Sequence, residues 1–115
     1  MRVMTRNELI DQAAGYLTGC GITVLDRDWY HAEGIVDIAA EECGQFVIVR
    51  VLAHPGHGRA SPQVSGASIR RMRRLAVDWM NAHGKRYDRV RTDSIVILTL
   101  PMGQHDLTHT RAFES

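Results

Sequence analysis

Lysine is nearly missing from this chain: among 14 Lys and Arg residues, Lys85 is the only lysine. Cysteine is as scarce, with Cys20 and Cys43 alone. They make at most one bridge, too few to replace an apolar core. Neither belongs to a CxxC motif or an evident Cys–His pair, so nucleophilic catalysis has no support in the pattern. No apolar run approaches the roughly 18 residues of a membrane span. The longest, Phe46 to Ala53, is interrupted by Arg50. Glycine-rich nucleotide fingerprints (GxGxxG or a P-loop) are lacking, which disfavours a nucleotide-cofactor enzyme. There is no internal repeat and no low-complexity tract. The first six residues carry no apolar signal-peptide core behind them. These absences lead us to expect a soluble protein of the reducing cytoplasm with no membrane partner.

What is present is an ordinary globular composition, 44% hydrophobic and 23% charged over 115 residues, enough for one domain spanning 1–115. The formal charge of +1 hides an uneven distribution. Residues 59–91 hold nine basic side chains (Arg59, Arg70, Arg71, Arg73, Arg74, Lys85, Arg86, Arg89 and Arg91) against Asp78 and Asp88. The remainder is acidic. Such asymmetry marks either a surface for a polyanion or a solvated helix face.

Thr5-Arg6-Asn7-Glu8 has the form of a capping box, and Leu9, Ile10, Ala13, Ala14 and Leu17 follow the helical period. A first helix over 6–18 is predicted, ended by Gly19 to Gly21. Residues 22–25 read as a short strand, 34–40 as a second, and 45–52 as a third, with a hairpin turn at Glu41-Glu42-Cys43-Gly44. The near-continuous apolar content of the third places it in the sheet centre. Residues 53–66, rich in Gly and Pro and holding His54 and His57, read as a loop. A second helix runs from 67 to about 83, with Ile69, Met72, Leu75, Ala76, Trp79 and Met80 as its apolar stripe and Gly84 as its stop. Strands over 91–100 and 105–113 complete a mixed α/β (α+β) fold with a central sheet of four or five strands.

Side chains alternate along a strand, so Ile35, Asp37 and Ala39 share one face, as do Ile48, Arg50 and Leu52. If these strands pair as a hairpin, Asp37 and Arg50 meet on a mostly apolar sheet. A lone acid there needs a partner, and arginine is a good bidentate one. The pair is then either a structural ion pair or the remnant of a metal-dependent site.

Asp28-Trp29-Tyr30-His31-Ala32-Glu33-Gly34-Ile35-Val36-Asp37-Ile38-Ala39, then Phe46-Val47-Ile48-Val49-Arg50, then Met72-Arg73-Arg74-Leu75-Ala76 with Trp79, then Val90-Arg91-Thr92-Asp93, resembles the YraN-like family. That family belongs to the restriction-endonuclease-like PD-(D/E)XK superfamily, and the resemblance covers roughly residues 5–110 in order and spacing. It implies a mixed central sheet flanked by helices. The family's signature is Gly-Glu-(Ile/Leu)-Asp on one strand and Glu-Val-Lys on the next. Carried over by position, Asp37 keeps the metal-binding aspartate, while Ile35 and Ile48 stand at the glutamates and Arg50 at the lysine. Ser68 falls where the family has a further lysine. Ile10 falls at the first-helix glutamate, with Glu8 about half a turn away.

The chemistry says what those replacements mean. Magnesium demands oxygen ligands in near-octahedral geometry, and Asp37 supplies them from one carboxylate only. Arg50 cannot act as a base at neutral pH, its pKa exceeding 12. Lys85, beyond the second helix, is too distant in sequence to serve the strand site. Glu33, Glu41 and Glu42 flank the second strand, and they read as solvated turn residues rather than migrated ligands.

The remaining candidates are weaker. Arg70, Arg71 and Arg74 lie opposite the apolar stripe of the second helix, with Arg73 flanking it. Arginine favours bidentate phosphate contacts. His105 and His109 share a strand face but are about 13 Å apart, too far for one ion, and His54 and His57 lack a neighbouring ligand. Trp29 and Tyr30 either stack on bases or cover the sheet edge.

The sequence therefore predicts a catalytically degenerate nuclease-like domain without an intact catalytic set, the degenerate positions being Asp37, Ile48 and Arg50. Nucleic acid is the expected partner, held by Arg59, Arg70, Arg71, Arg74, Arg86 and Arg89 without cleavage. No cofactor or metal site is expected. The alternatives are a protein–protein interaction module on the same scaffold and a divergent endonuclease using Mg or Mn with rearranged ligands. The oligomeric state is left open.

Overall fold

In the computed structural model, which describes residues 4–32, 34–55, 66–100, 102 and 104–111, Thr5 opens the first helix by a reciprocal exchange. Its hydroxyl accepts the Glu8 N–H at 3.2 Å, and the Glu8 carboxylate accepts the Thr5 N–H at 2.9 Å. Helix α1 runs Arg6–Gly19. It stops where Gly21 turns to φ +83°, which lets the Ile22 N–H bond back to the Leu17 carbonyl at 3.0 Å. Helix α2, Gly66–His83, stops the same way: Gly84 sits at φ +64° and the Lys85 N–H reaches the Met80 carbonyl at 2.9 Å.

The strands are β1 (Thr23–His31), β2 (Gly34–Glu42), β3 (Gln45–Pro55), β4 (Val90–Thr99) and β5 (His105–Thr110). They form one sheet in the order β1-β2-β3-β4-β5. Only β3 and β4, joined through α2, are parallel. The sheet centre is thus β3, as its apolar run predicts. β2 and β3 are joined by a two-residue turn in which Cys43 and Gly44 have φ of 51° and 78°, so β2 extends past its expected end at 40 to Glu42, while β3 begins at Gln45 as predicted.

Alternation on β3 sorts the core into two layers. Val47, Val49 and Val51 join Ile38, Ala40, Ile95 and Ile97 beneath Ile10, Ala13, Ala14 and Leu17 of α1. Phe46 and Ile48 join Val36 and Ala39 against Leu75, Ala76, Trp79 and Met80 of α2. Full burial of each such aliphatic or aromatic side chain contributes about 1.5–3 kcal/mol. The result is a five-stranded mixed sheet between two helices. Neither described helix is long and apolar enough to cross a membrane.

Further boundaries differ from those predicted. β1 spans nine residues rather than 22–25, because it is an edge strand whose polar Asp26-Arg27-Asp28 tract needs no burial and whose register shifts between Val24 and Asp26. His54 lies in β3, not in a loop, since Pro55 still aligns with Thr99 of β4. β5 is shorter than predicted, ending at Thr110.

Candidate nucleic-acid interface

The β2–β3 ladder stops at the pair Ile38–Val49. Beyond it β2 stays with β1, pairing Val36 with Trp29 and Ile35 with Tyr30. β3 stays with β4, pairing Arg50 with Ser94 and Val51 with Ile95. The two strands therefore fork, and Asp37 stands in the fork. One carboxylate oxygen accepts the Val51 N–H at 2.8 Å, a backbone donor on the side that β2 has left. The other meets the Arg6 guanidinium of α1 at 2.6 Å. Arg6 also holds Asp28 at 2.9 Å. The Asp37 hydrogen bond leads in pushing the Arg6 pKa above its ordinary value, so this guanidinium stays charged.

The expected Asp37–Arg50 pair is therefore not formed. Its premise was a ladder continuing through positions 37 and 50, and the strands have already separated after Ile38 and Val49. Arg50 instead lines a cleft of about 190 Å³ between the fork and α2. Ile35, Asp37, Ile48, Ser68 and Arg71 line it as well. Of the positions singled out by the family resemblance, 35, 37, 48, 50 and 68 converge on one cleft, whereas Ile10 of α1 is buried in the core. Arg50 is half-buried, and among the described residues neither Arg50 nor Arg71 makes an ion pair.

The arginines of α2 divide by position. Arg70, Arg71, Arg73 and Arg74 are exposed near the end of the helix that borders the cleft; Arg70 and Arg74 lie opposite buried Ala76 and Trp79, while Arg71 shares the cleft with Leu75. Arg86 and Arg89 are exposed too, but they follow the other end of the helix, about 20 Å or more from Arg70 along its axis. Arg59 lies outside the described residues, as do His57 and Glu33.

Arg91, counted with the basic segment, is interior. It grips buried Asp93 with two hydrogen bonds at 2.9 and 3.0 Å and meets Glu42 at 2.8 Å. Burial lowers the Arg91 pKa, but the bonds to Asp93 and Glu42 outweigh that and raise it overall. Arg91 in turn leads in holding the Glu42 carboxyl below the usual range, assisted by Arg111 at 2.7 Å. Asp93 also contacts His109 Nε2 at 2.8 Å, and His109 Nδ1 contacts the Tyr16 hydroxyl at 3.0 Å. Because a carboxylate only accepts, Nε2 carries the proton, and a neutral ring takes the Tyr16 O–H on Nδ1. Burial, followed by the contact with Cys20, pushes the Tyr16 hydroxyl pKa up.

This interior network was not anticipated from the sequence. Its signal was Asp93 standing in an apolar strand, the same lone-acid argument that was applied to Asp37. Glu41 and Glu42, read as solvated turn residues, are partners instead: Glu41 accepts the Tyr87 hydroxyl, which raises that hydroxyl to about 12. His109 is a structural partner of Asp93, while His105 is exposed at the start of β5.

Trp29 packs where β1 meets α2. It stacks on His31 at 4.9 Å, and His31 faces Asp78 at 3.4 Å. Nearby, Trp79 donates its indole N–H to Asp26 at 2.8 Å and stacks on His83 at 4.2 Å. Trp29 thus covers the helix–sheet junction, whereas Tyr30 is 64% exposed.

A mixed five-stranded sheet between two helices, with a conspicuous aspartate where the second and third strands diverge, defines a small α/β scaffold consistent with the restriction-endonuclease-like superfamily. Within that class the chain belongs to UPF0102, described as an uncharacterised protein family, whose pattern matches residues 11–97. This is the YraN-like family that the strand motifs resemble. The chain is similar to a UPF0102 protein of Rhodococcus jostii, 38% identical over 103 residues that cover 88% of this chain and 87% of the relative. A UPF0102 protein of Arthrobacter is 34% identical over 101 residues, 86% of each chain. One of Mycobacterium tuberculosis is 32% identical over 120 residues, covering 95% of this chain and 94% of its own.

Proposed function

We propose that this UPF0102 protein binds nucleic acid along the arginine face of α2 and does not cut it. The observation that carries the reading is the exposed set Arg70, Arg71 and Arg74 on α2, of which Arg71 also lines the cleft. Guanidinium groups match phosphate geometry in bidentate fashion and keep their charge at any physiological pH.

The absence of cutting is argued from the donors in the cleft. A nuclease of this superfamily would hold a divalent cation between carboxylates at the fork. Here Asp37 supplies one carboxylate, and both of its oxygens are already engaged by Arg6 and Val51. The neighbouring positions present the apolar side chains of Ile35 and Ile48 and the cationic head of Arg50. Among the described residues no three His, Cys, Asp or Glu side chains converge on a point. This donor set does not fit magnesium or manganese, so no hydrolytic step is derived through either.

The test is fluorescence anisotropy of labelled duplex, branched and single-stranded DNA from low to physiological salt, with Mn²⁺ samples run on gels. Binding should weaken steeply with salt, leave the DNA intact, and fall when Arg70, Arg71 and Arg74 are all changed to Gln. Salt-insensitive binding, or binding indifferent to the triple change, would overturn it. Mn²⁺-dependent cleavage that disappears in Asp37→Ala would establish a rearranged nuclease instead. A protein partner is the second reading, favoured by Val77, which is 49% exposed on the same helix at the i+3 position from Arg74.

A further inference from the structure

We infer that the cleft between Arg50 and Arg71 is a phosphate site that works without a metal ion. The inference rests on the nucleic-acid reading only for the source of the phosphate. Two arginines, Arg50 and Arg71, line a space of about 190 Å³, and neither is paired with a described carboxylate. The one acid in the cleft, Asp37, is balanced by Arg6 at 2.6 Å from outside the lining. Two like charges facing one small, partly enclosed space repel each other, and an oxyanion between them relieves that repulsion.

The size of the cleft selects among anions. It falls below the 300 Å³ or so at which pockets bury a drug-sized ligand. It has room for a phosphate group and a portion of a sugar, but not for a whole nucleotide with its base. Ile35 and Ile48 give it apolar walls that lower the local dielectric and strengthen a charge-assisted hydrogen bond. Ser68, near the start of α2, also lines the cleft. Guanidinium has thus taken the place that metal chemistry would occupy: the same oxyanion is held by direct hydrogen bonds rather than through a bridging cation.

The experiment follows backbone amide and arginine Nε resonances of the full-length protein by NMR. The probes are inorganic phosphate and a twelve-nucleotide single strand with or without a 5′-phosphate, each in EDTA and again with Mg²⁺. Saturable shifts at Arg50, Arg71 and Ser68 in EDTA are expected, with affinity changed less than twofold by Mg²⁺. Arg50→Met should weaken the phosphate-dependent binding about tenfold, the scale of one charge-assisted hydrogen bond. Because Arg50 is half-buried, Arg71→Gln serves as the second variant, on an exposed position that the fold does not need.

Stronger cleft shifts with the 5′-phosphorylated strand assign the site to strand ends, and equal shifts assign it to the backbone; both uphold the inference. Shifts that require Mg²⁺ overturn it. Binding of the strand with no movement at Arg50 or Arg71, and no loss in either variant, overturns it while leaving Arg70 and Arg74 of α2 to carry the strand. If inorganic phosphate moves the cleft resonances and no nucleic acid binds, the cleft stands and the nucleic-acid reading falls.

Discussion

The Asp37 carboxylate does for Val51 what a neighbouring strand would do: it accepts the Val51 N–H at 2.8 Å where β2 and β3 diverge. The side chain is 12% exposed, so water is a poor substitute. Asp37→Ala should therefore destabilise the fold by about 1–3 kcal/mol, the cost of leaving a buried donor unsatisfied. Asp37→Asn retains a carbonyl oxygen for Val51 and should lose less. Urea unfolding of the three proteins measures both, and equal losses in the two variants would refute the assignment.

Arg50 makes the converse case. Since it is not the partner of Asp37, Arg50→Ala should change stability by no more than about 0.5 kcal/mol beyond its lost packing. A melting temperature lowered as far as that of Asp37→Ala would mean that the two side chains are paired after all.

Asp93 should be far less tolerant. It is fully buried and holds both Arg91 and His109, so Asp93→Ala takes one of two acids from Arg91, leaving it Glu42 alone, and takes the acid from His109. A loss of about 3–5 kcal/mol is expected. Tyr16→Phe removes the outer hydrogen bond to His109 and the contact with Cys20, and should cost about 1 kcal/mol. Denaturant midpoints of the two variants give the comparison.

Glu42 contributes to the acid limit of the fold, and Tyr87, along with the part-buried Tyr16 hydroxyl, to the alkaline limit. The Glu42 carboxyl is held low by Arg91 and Arg111, so its contribution is present above the ordinary glutamate pKa and is lost as pH falls through the depressed value. The Tyr87 hydroxyl is raised to about 12 by Glu41, so its contribution is intact below the ordinary tyrosine value and is lost as pH rises from there to about 12. Glu42→Gln should flatten the acid limb of a stability–pH curve, and Tyr87→Phe the alkaline limb. Each change should leave the opposite limb unaltered.

Much of the architecture was legible because local signals agreed with one another. The Thr5–Glu8 box, the stripe of α2 and the apolar run of β3 each carry their periodicity within one segment. The resemblance brought positions 35, 37, 48, 50 and 68 to one cleft but misplaced Ile10, which packs in the core from α1. What failed was whatever depended on where a ladder ends. Pairing Asp37 with Arg50 assumes that two strands stay together for one residue more than they do. Reading Arg91 as surface charge ignores Asp93, two residues along the same strand face, and Glu42, which chain folding brings alongside. β1 was cut short because an edge strand tolerates charges that a central strand does not.

The turn at Cys43 and Gly44 governs more than the hairpin it closes. Both residues adopt positive φ, and that two-residue geometry fixes Glu42 opposite Gln45 and every pair down to Ile38 and Val49. One residue added there would slip the register and turn Asp37 away from the Val51 N–H. The cleft is thus gauged from a point about 17 Å away along the strands. A designer who wished to open or close it could leave its lining untouched and edit the length of that distant bend.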